Sequence, residues 1–598
     1  MKAHPLTGKC LAVGIILLFI GVSIIPTLAQ SGKEPSQSTF SENWWYVGGS
    51  GPGNYTDIQD AIDNASDGDT VFVFNGTYVG YVILNKPINL IGEDKNTTVI
   101  AGFFAYTISI VSDGVTMSGF TIQNSGRLGE GVRIDSSYNS FYNNIIEIPN
   151  DRIRLSGDNN LFAGNTILDS YLFLSGDRNI ISGNTISNIY YGIYFIDASD
   201  NIISNNSFFG SGLFISDDTV WNNSVTNNTV NGKPLVYVDD KSDMVLNGDA
   251  GQIVLVNCTN ITVQNQEISN TTVGIQLWGS SSCVISGNTL AGNHYGISLY
   301  GWNNTIDDNT ITDNYYGISL TGDRNTISEN IISENQGNGL YLAYSDHNSI
   351  IKNTITNNSY SILLDYGCDF NNLIDNTIIN NSHAGIGLSG DSATIISGNT
   401  ISDNADGIDI SYSDRNTIIN NTITQNKGNG INLVDSDFNI IINNDIIHNN
   451  QGGIHLSGDN NTIAANTITH DYCGIYVLRH QFNTITDNDI AWNNGSGLFL
   501  NRSIGNTLSG NSISKNGHGI YFVTSTNNTV LNNNFLRNNR HAFFENCTNV
   551  WIHNYWGRPR VLPKLIFGTR STQNNRLFPP MDVDWHPALK PYDIPDKS

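Results

Sequence analysis

The chain has 598 residues, 58 of them Gly, with 53 Asp+Glu against 28 Lys+Arg and a formal net charge of −25 at pH 7. A surface so acidic repels phosphate backbones, which excludes nucleic acid as a partner and suits a protein that stays soluble outside a cell or attracts cations. The charge is uneven: residues 550–598 hold seven Lys/Arg and four Asp/Glu, net +3, so the first 549 residues carry −28.

In chain order, Lys2 and Lys9 precede an apolar run from Leu11 to Ile25, followed by Pro26 and small residues. This pattern predicts a signal peptide over 1–29 and a linker over 30–54, and hence an extracellular or cell-envelope protein. Membrane contact is expected only if that segment stays uncleaved as an anchor. The stretch YTDIQDAIDNASDGDTVFVFNGTY (55–78) predicts a capping helix that carries Ile58, Ala61, Ile62 and Ala65, with Thr56 as its N-cap. The five later cysteines, Cys258, Cys283, Cys368, Cys473 and Cys547, are odd in number and widely spaced. They predict mainly buried free thiols and no disulfide framework.

Beyond this start the sequence repeats. Gly-Ile or its equivalent recurs from 274 to 542 at intervals of 21 to 24 residues, in units that read roughly N-x-I-x-x-N-x-I-x-x-N-x-x-G-I-x-L-x-x-S-D-x-N. Isolated Ile and Leu alternate with polar residues, which is strand periodicity, and no unit carries the i, i+3, i+4 stripe of a helical repeat. Three short strands per unit with Asn/Gly/Asp corners describe one coil of a parallel β-helix, whose Ile residues are buried only when coils stack. Ile306, Ile311, Ile318, Leu320 and Ile327 are therefore expected to point inward. Asn suits the corners because it tolerates left-handed backbone and can hydrogen-bond its equivalent one coil away. Residues 217–273 break the rhythm and predict a longer loop or lateral hairpin. The solenoid is expected over 55–550, and 551–598 form an aromatic, Pro-rich C-terminal cap or tail.

The IQDAI…GDTVFV…GTY opening, the coil repeat, NGKPLVY and the closing NYWG together resemble secreted β-helix proteins of the pectin-lyase-like superfamily. Within it the chain is most similar to the NosD-like, carbohydrate-binding and sugar hydrolysis (CASH) repeat group, abundant in archaeal envelopes. The resemblance implies an all-β, single-stranded right-handed parallel β-helix. For function it implies several alternatives: polysaccharide binding, a polysaccharide lyase or glycoside hydrolase, a structural surface or adhesion spacer, or an accessory of metal-site maturation.

The candidate site is the x of G-I-x-L, which strand alternation places outward on one strand stack. Reading along it gives Ser298, Ser319, Tyr341, Leu363, Gly387, Asp409, Asn432, His455, Tyr476, Phe499 and Tyr521, with further rings at Tyr295, Tyr315, Tyr316 and Tyr472. Asp409, Asn432, His455, Tyr476, Phe499 and Tyr521 form the expected glycan-binding face. Asp409 and His455 are the candidates for any catalysis. Gly517-His518-Gly519 and Arg152-Ile153-Arg154 echo polygalacturonase motifs in reversed order, and the first occupies an ordinary repeat slot. A ladder of Asp323, Asp346, Asp369, Asp391, Asp414, Asp437 and Asp459 predicts corner turns. Its alternative is calcium bridging at Asp414, Asp437 and Asp459. Copper is unsupported, because His and Met are scattered and His448 and His470 fall in slots offset by one residue. No cofactor is predicted.

Overall fold

The computed structural model describes residues 43–103, 106–123, 130–149, 151–187, 190–216, 222–569 and 580–594. The signal segment at 1–29 lies outside them. Among the described residues no helix is long and apolar enough to cross a membrane.

The repeat folds as a parallel β-solenoid. One coil comprises the strands Tyr316–Thr321, Thr326–Ser328 and Ile331–Ser333, each paired in parallel with its equivalent one coil on. Ile306, Ile311, Ile318, Leu320 and Ile327 are fully buried, and each stabilises the stack by about 1.5–3 kcal/mol of apolar burial. The Gly of Gly-Ile has a packing cause. A Cβ at Gly296 would lie 2.6 Å from both Gly317 O and the Ile311 side chain, so only Gly lets consecutive coils approach there.

Two residues share the work expected of one at each corner. The buried Asn is the fastener: Asn309 donates from N to Asn330 Oδ1 at 3.0 Å, and from Nδ2 to that oxygen at 2.9 Å and to Ile285 O at 2.8 Å. The left-handed residue is the one before it, Asn303, Asp308 and Asp313 in the coil that contains Asn304, Asn309 and Asn314. Sequence reasoning gave both roles to the Asn. The backbone separates them because a left-handed residue turns its own side chain outward.

The solenoid is made of two segments with two cores. The first holds Val47 to Val256 and the second Val238 to Ile566. They meet where Thr229–Val230 turns through Asn231-Gly232 into Lys233–Asp239, a short antiparallel hairpin, with both turn residues left-handed. That hairpin is the irregularity expected within 217–273; the coils resume immediately after it. Strand Gln252–Val256 is buried on both faces. Ile253 and Leu255 enter the second core, whereas Val254 and Val256 close the first. The last strand of one first-segment face, Leu213–Ile215, has no strand beyond it in its sheet. The amide of Gln252 exchanges two hydrogen bonds with the backbone of Leu213 (2.9 and 2.7 Å), and that of Gln276 does the same with Ile215 (3.1 and 2.7 Å). Two side chains thus stand in for a strand and satisfy a buried edge.

At the N-terminal end the helix spans Ile58–Asn64 and buries Ile58, Ala61 and Ile62. Its N-cap is Asp57, whose carboxylate accepts from Gln59 N at 2.7 Å, and not Thr56. Strand Trp44–Val47 already pairs in parallel with Thr70–Val73, so the solenoid reaches back into the stretch read as a linker. At the other end Trp551, Trp556 and Ile566 join the core, and strands Lys564–Thr569 and Met581–Asp584 pair antiparallel. Asp584 accepts from Asn554 N (3.0 Å), Asn554 Nδ2 (3.3 Å) and Trp556 Nε1 (3.0 Å), which ends an asparagine ladder on a carboxylate. Cys258, Cys283, Cys368, Cys473 and Cys547 are all free, four of them buried and Cys473 half-buried.

Candidate functional site

The outward column is in register along its whole length. Gln276, Ser298, Ser319, Tyr341, Leu363, Gly387, Asp409, Asn432, His455, Tyr476, Phe499 and Tyr521 pair coil to coil, and Phe543 continues the series. Gln276 is buried under the first segment, and from Ser298 onward the column faces outward with half-buried side chains.

Asp409 and His455 are joined by the residue between them. Asn432 Nδ2 donates to Asp409 Oδ1 at 2.9 Å, and Asn432 Oδ1 meets His455 Nδ1 at 2.7 Å. Burial raises the Asp409 carboxyl above the usual carboxylate range and lowers the His455 imidazole. The chain of contacts therefore holds a fixed, polar run of three side chains. Beyond it Tyr476, Phe499, Tyr521 and Phe543 stack at centroid distances of 5.0, 5.1 and 5.5 Å. Rings stacked this way cover one another's faces and offer a ligand mainly their edges. Tyr521 Oη also donates to Glu545 at 2.7 Å.

Beside this stack lies an open cleft of about 510 Å3, where Phe499 and Tyr521 meet Tyr472, His518, Asn494 and Arg540. Tyr472 is 64% exposed, so its ring face is free. Arg540 covers the outer face of Phe543 at 3.9 Å. His518, of the Gly-His-Gly slot, belongs to this cleft. Arg152 and Arg154, in the other segment, are engaged by Glu130 at 2.6 and 3.3 Å.

The aspartate column works between coils. Asp346 N donates to Asp323 Oδ1 (2.9 Å), Asp369 N to Asp346 Oδ1 (2.8 Å), Asp437 N to Asp414 Oδ1 (2.8 Å) and Asp459 N to Asp437 Oδ1 (2.7 Å). Asp459 in turn accepts from Gln481 N and contacts His480 Nδ1 at 3.0 Å. Asp391 leaves the column: Ser392 N takes its slot by donating to Asp369 Oδ1, while Asp391 turns inward and accepts from Cys368 N. Its spacing matched the ladder, but it stands one position earlier, in the inward slot that Cys368 and Ser413 fill in the neighbouring coils. Among the described residues no group of three or more His, Cys, Asp or Glu is placed to hold a metal ion.

His448 and His470 are in register, contrary to the offset read from their spacing. Both precede a member of one corner ladder, Asn449 and Asp471, and their rings stand 4.6 Å apart. Asp471 is the acid in that asparagine ladder. It accepts from Asn449 N at 2.6 Å, its Oδ2 is buried without a partner, and burial pushes it up to about 8.

A second concave site lies at the junction and was missed from the sequence. A cleft of about 830 Å3 opens at the corner leading into the long strands, between Phe209 of the first segment and His294 and Tyr315 of the second. His294 is sandwiched by Tyr190 at 4.8 Å and Tyr315 at 5.1 Å. Beneath it Phe173, Tyr194, Phe214, Tyr295 and Tyr316 stack continuously across the junction, at 5.8, 5.5, 5.4 and 5.1 Å. Burial depresses the His294 imidazole to about 4, which leaves it neutral. The available signal was the ring doublet before Gly-Ile in Tyr190-Tyr191, His294-Tyr295 and Tyr315-Tyr316.

The model of the right-handed β-helix region matches residues 106–250, 349–479 and 440–555, more than half of the chain. The chain belongs to the right-handed β-helix family. Residues 236–384 also match the model described as periplasmic copper-binding protein (NosD). The soft donors in that stretch do not converge. His347 stacks on Phe370 and His383 on Tyr360, His294 packs among tyrosines, and Cys258, Cys283 and Cys368 donate to backbone carbonyls. No curated protein matches the chain. Similar solved structures include the Dettilon tailspike protein, at 16% identity over 48% of this chain and 60% of that one, TM-score 0.32. The chain thus spans 60% of the tailspike's length. The periplasmic alginate epimerase AlgG is similar at 14% identity over 69% and 84%, TM-score 0.29. The A-module of an Azotobacter vinelandii mannuronan C-5 epimerase is similar at 15% over 68% and 93%, TM-score 0.23.

Proposed function

We propose that this is an exported envelope or extracellular protein that binds polysaccharide along the long-strand face of its second segment. The apolar segment at 11–25 and the acidic body support export. The observation that carries the binding reading is the cleft beside Phe499 and Tyr521. There an exposed ring face, Tyr472, stands with an amide, an imidazole and a guanidinium at the end of a straight polar run from Asp409 to His455. A sugar unit presents apolar C–H patches and hydroxyl groups together, and this mixture of ring and hydrogen-bonding groups is suited to both. A solenoid face extends that mixture in one direction, as an unbranched polymer requires. Calcium at Asp414, Asp437 and Asp459 forms no part of the reading, since each of these carboxylates already accepts a neighbouring coil's N–H.

A glycan array tests it, with wild type beside Tyr472→Ala and Tyr472→Ala/Tyr521→Ala. Retention of a polysaccharide is expected in the wild type, with a loss of tenfold or more in the single variant. Binding unchanged in both variants would sink the reading and favour a structural spacer. Release of product that disappears in Asp409→Asn would instead establish a lyase or hydrolase.

A further inference from the structure

The junction cleft has its own chemistry, which does not depend on the reading of the long-strand face. Its 830 Å3 is within the range of sites that hold small organic ligands. It lies along the left-handed corner, where Asp169, Gly210 and Asn231 continue into Asn270, Gly292 and Asp313 across the junction. The rings of Tyr190, Phe209 and Tyr315 reach solvent, with exposures of 64%, 48% and 39%, and beneath them a half-buried aromatic stack crosses the junction. Exposed aromatic faces on a rigid base are a platform for the C–H face of a pyranose.

The polar groups are equally particular. Asp169, Asn270, Asp313 and Gln336 line the cleft, and their side chains make no hydrogen bond or ion pair within the described protein. No Lys or Arg is among the lining residues. His294 stays neutral in its sandwich and supplies no positive charge. We infer that the cleft binds a neutral or amino-substituted sugar unit and rejects uronates and other acidic sugars. Amides and carboxylates accept hydrogen bonds from ring hydroxyls, and either Asp pairs with an ammonium group. A ligand carboxylate would face two protein carboxylates with no cation to neutralise them, which is a repulsive element of specificity.

Isothermal titration of the full chain tests this with chitosan oligosaccharides (amino), cello-oligosaccharides (neutral) and oligogalacturonate (acidic). The wild type is expected to bind one or both of the first two classes at least tenfold more tightly than the third. Tyr190→Ala should weaken that binding tenfold or more with an unchanged melting temperature, since the ring is mostly exposed. Asp169→Asn/Asp313→Asn should reduce the discrimination against oligogalacturonate and remove any preference for the amino sugar. Equal binding of the acidic oligomer by the wild type, no binding of any class, or an affinity untouched by Tyr190→Ala would each overturn the proposal. Tyr472→Ala serves as the second arm. Binding lost there and kept in Tyr190→Ala defeats the junction site and leaves the long-face reading standing, and the reverse result separates them the other way.

Discussion

The first segment stacks its coils on two asparagine ladders, Asn139 to Asn223 and Asn144 to Asn228. The second uses three. The additional one starts at Asn293 and runs through Asn314, Asn335 and Asn358 to Asn449, Asp471 and Asn538. The cores differ in the same sense. The first contains several stacked rings, such as Phe141 on Phe162 at 5.3 Å, whereas the second is an almost continuous column of Ile and Leu. A corner without a ladder tolerates irregular backbone and large side chains. A corner with one repeats within narrow limits. The junction cleft sits where the third ladder begins, and this is where the architecture leaves room for a pocket.

The largest effect should come from uncoupling the segments. Gln252→Leu/Gln276→Leu leaves four buried backbone groups of Leu213 and Ile215 unpaired, at a cost of about 4 kcal/mol or more. Chemical denaturation should then resolve two transitions in place of one, and a single unshifted transition would show that the segments do not depend on this contact. Next, Ile463→Ala in the second core and Ile186→Ala in the first should each cost about 3 kcal/mol. A much smaller loss at Ile186 would mean that the ring-containing core relaxes around the cavity.

A smaller, pH-dependent effect is expected at Asp471. Its carboxyl is raised by burial to about 8 in the fold, against 3.8 for an ordinary Asp, so the folded state holds a proton that the unfolded chain releases. The associated stability is full below pH 4 and is lost as pH rises towards 8. Asp471→Asn restores the ladder amide and should flatten this dependence, adding about 1–3 kcal/mol at pH 8, measurable by thermal melts across pH. The smallest effect concerns the left-handed corner residues. Tyr344, Tyr366 and Tyr412 hold positive φ and are 67%, 59% and 69% exposed. Tyr412→Asn should stabilise by about 1 kcal/mol, because Asn tolerates that conformation better. A loss of stability there would show that the exposed ring packs to advantage.

Much of this was legible because the solenoid makes register a matter of counting. The inward set at Ile306, Ile311, Ile318, Leu320 and Ile327 and the outward column from Ser298 to Tyr521 follow from strand alternation alone. The errors arose where coils of 22 and 23 residues both occur, so that spacing alone leaves a slot uncertain by one residue and hence the side chain's direction. Asp391 keeps the interval of the aspartate ladder yet turns inward, and His448 and His470, read as offset, share a corner because register is set from the asparagine ladder. The ring stacking of Tyr476, Phe499 and Tyr521 was legible as a column, but not the fact that stacking covers the ring faces and leaves Tyr472 as the free one.

The sequence by itself determined the coil, its core and its fasteners, because each depends on contacts between residues one repeat apart. Tertiary structure decided the rest. Gln276 is an ordinary outward residue by pattern, but it becomes a strand-edge cap once the first segment lies over it. The junction cleft draws on Asp169, Phe209, His294 and Asp313, which no local periodicity relates. These contacts join segments whose relative placement depends on a two-residue turn, Asn231-Gly232, and on burial across it. A repeat pattern carries no information about such a break.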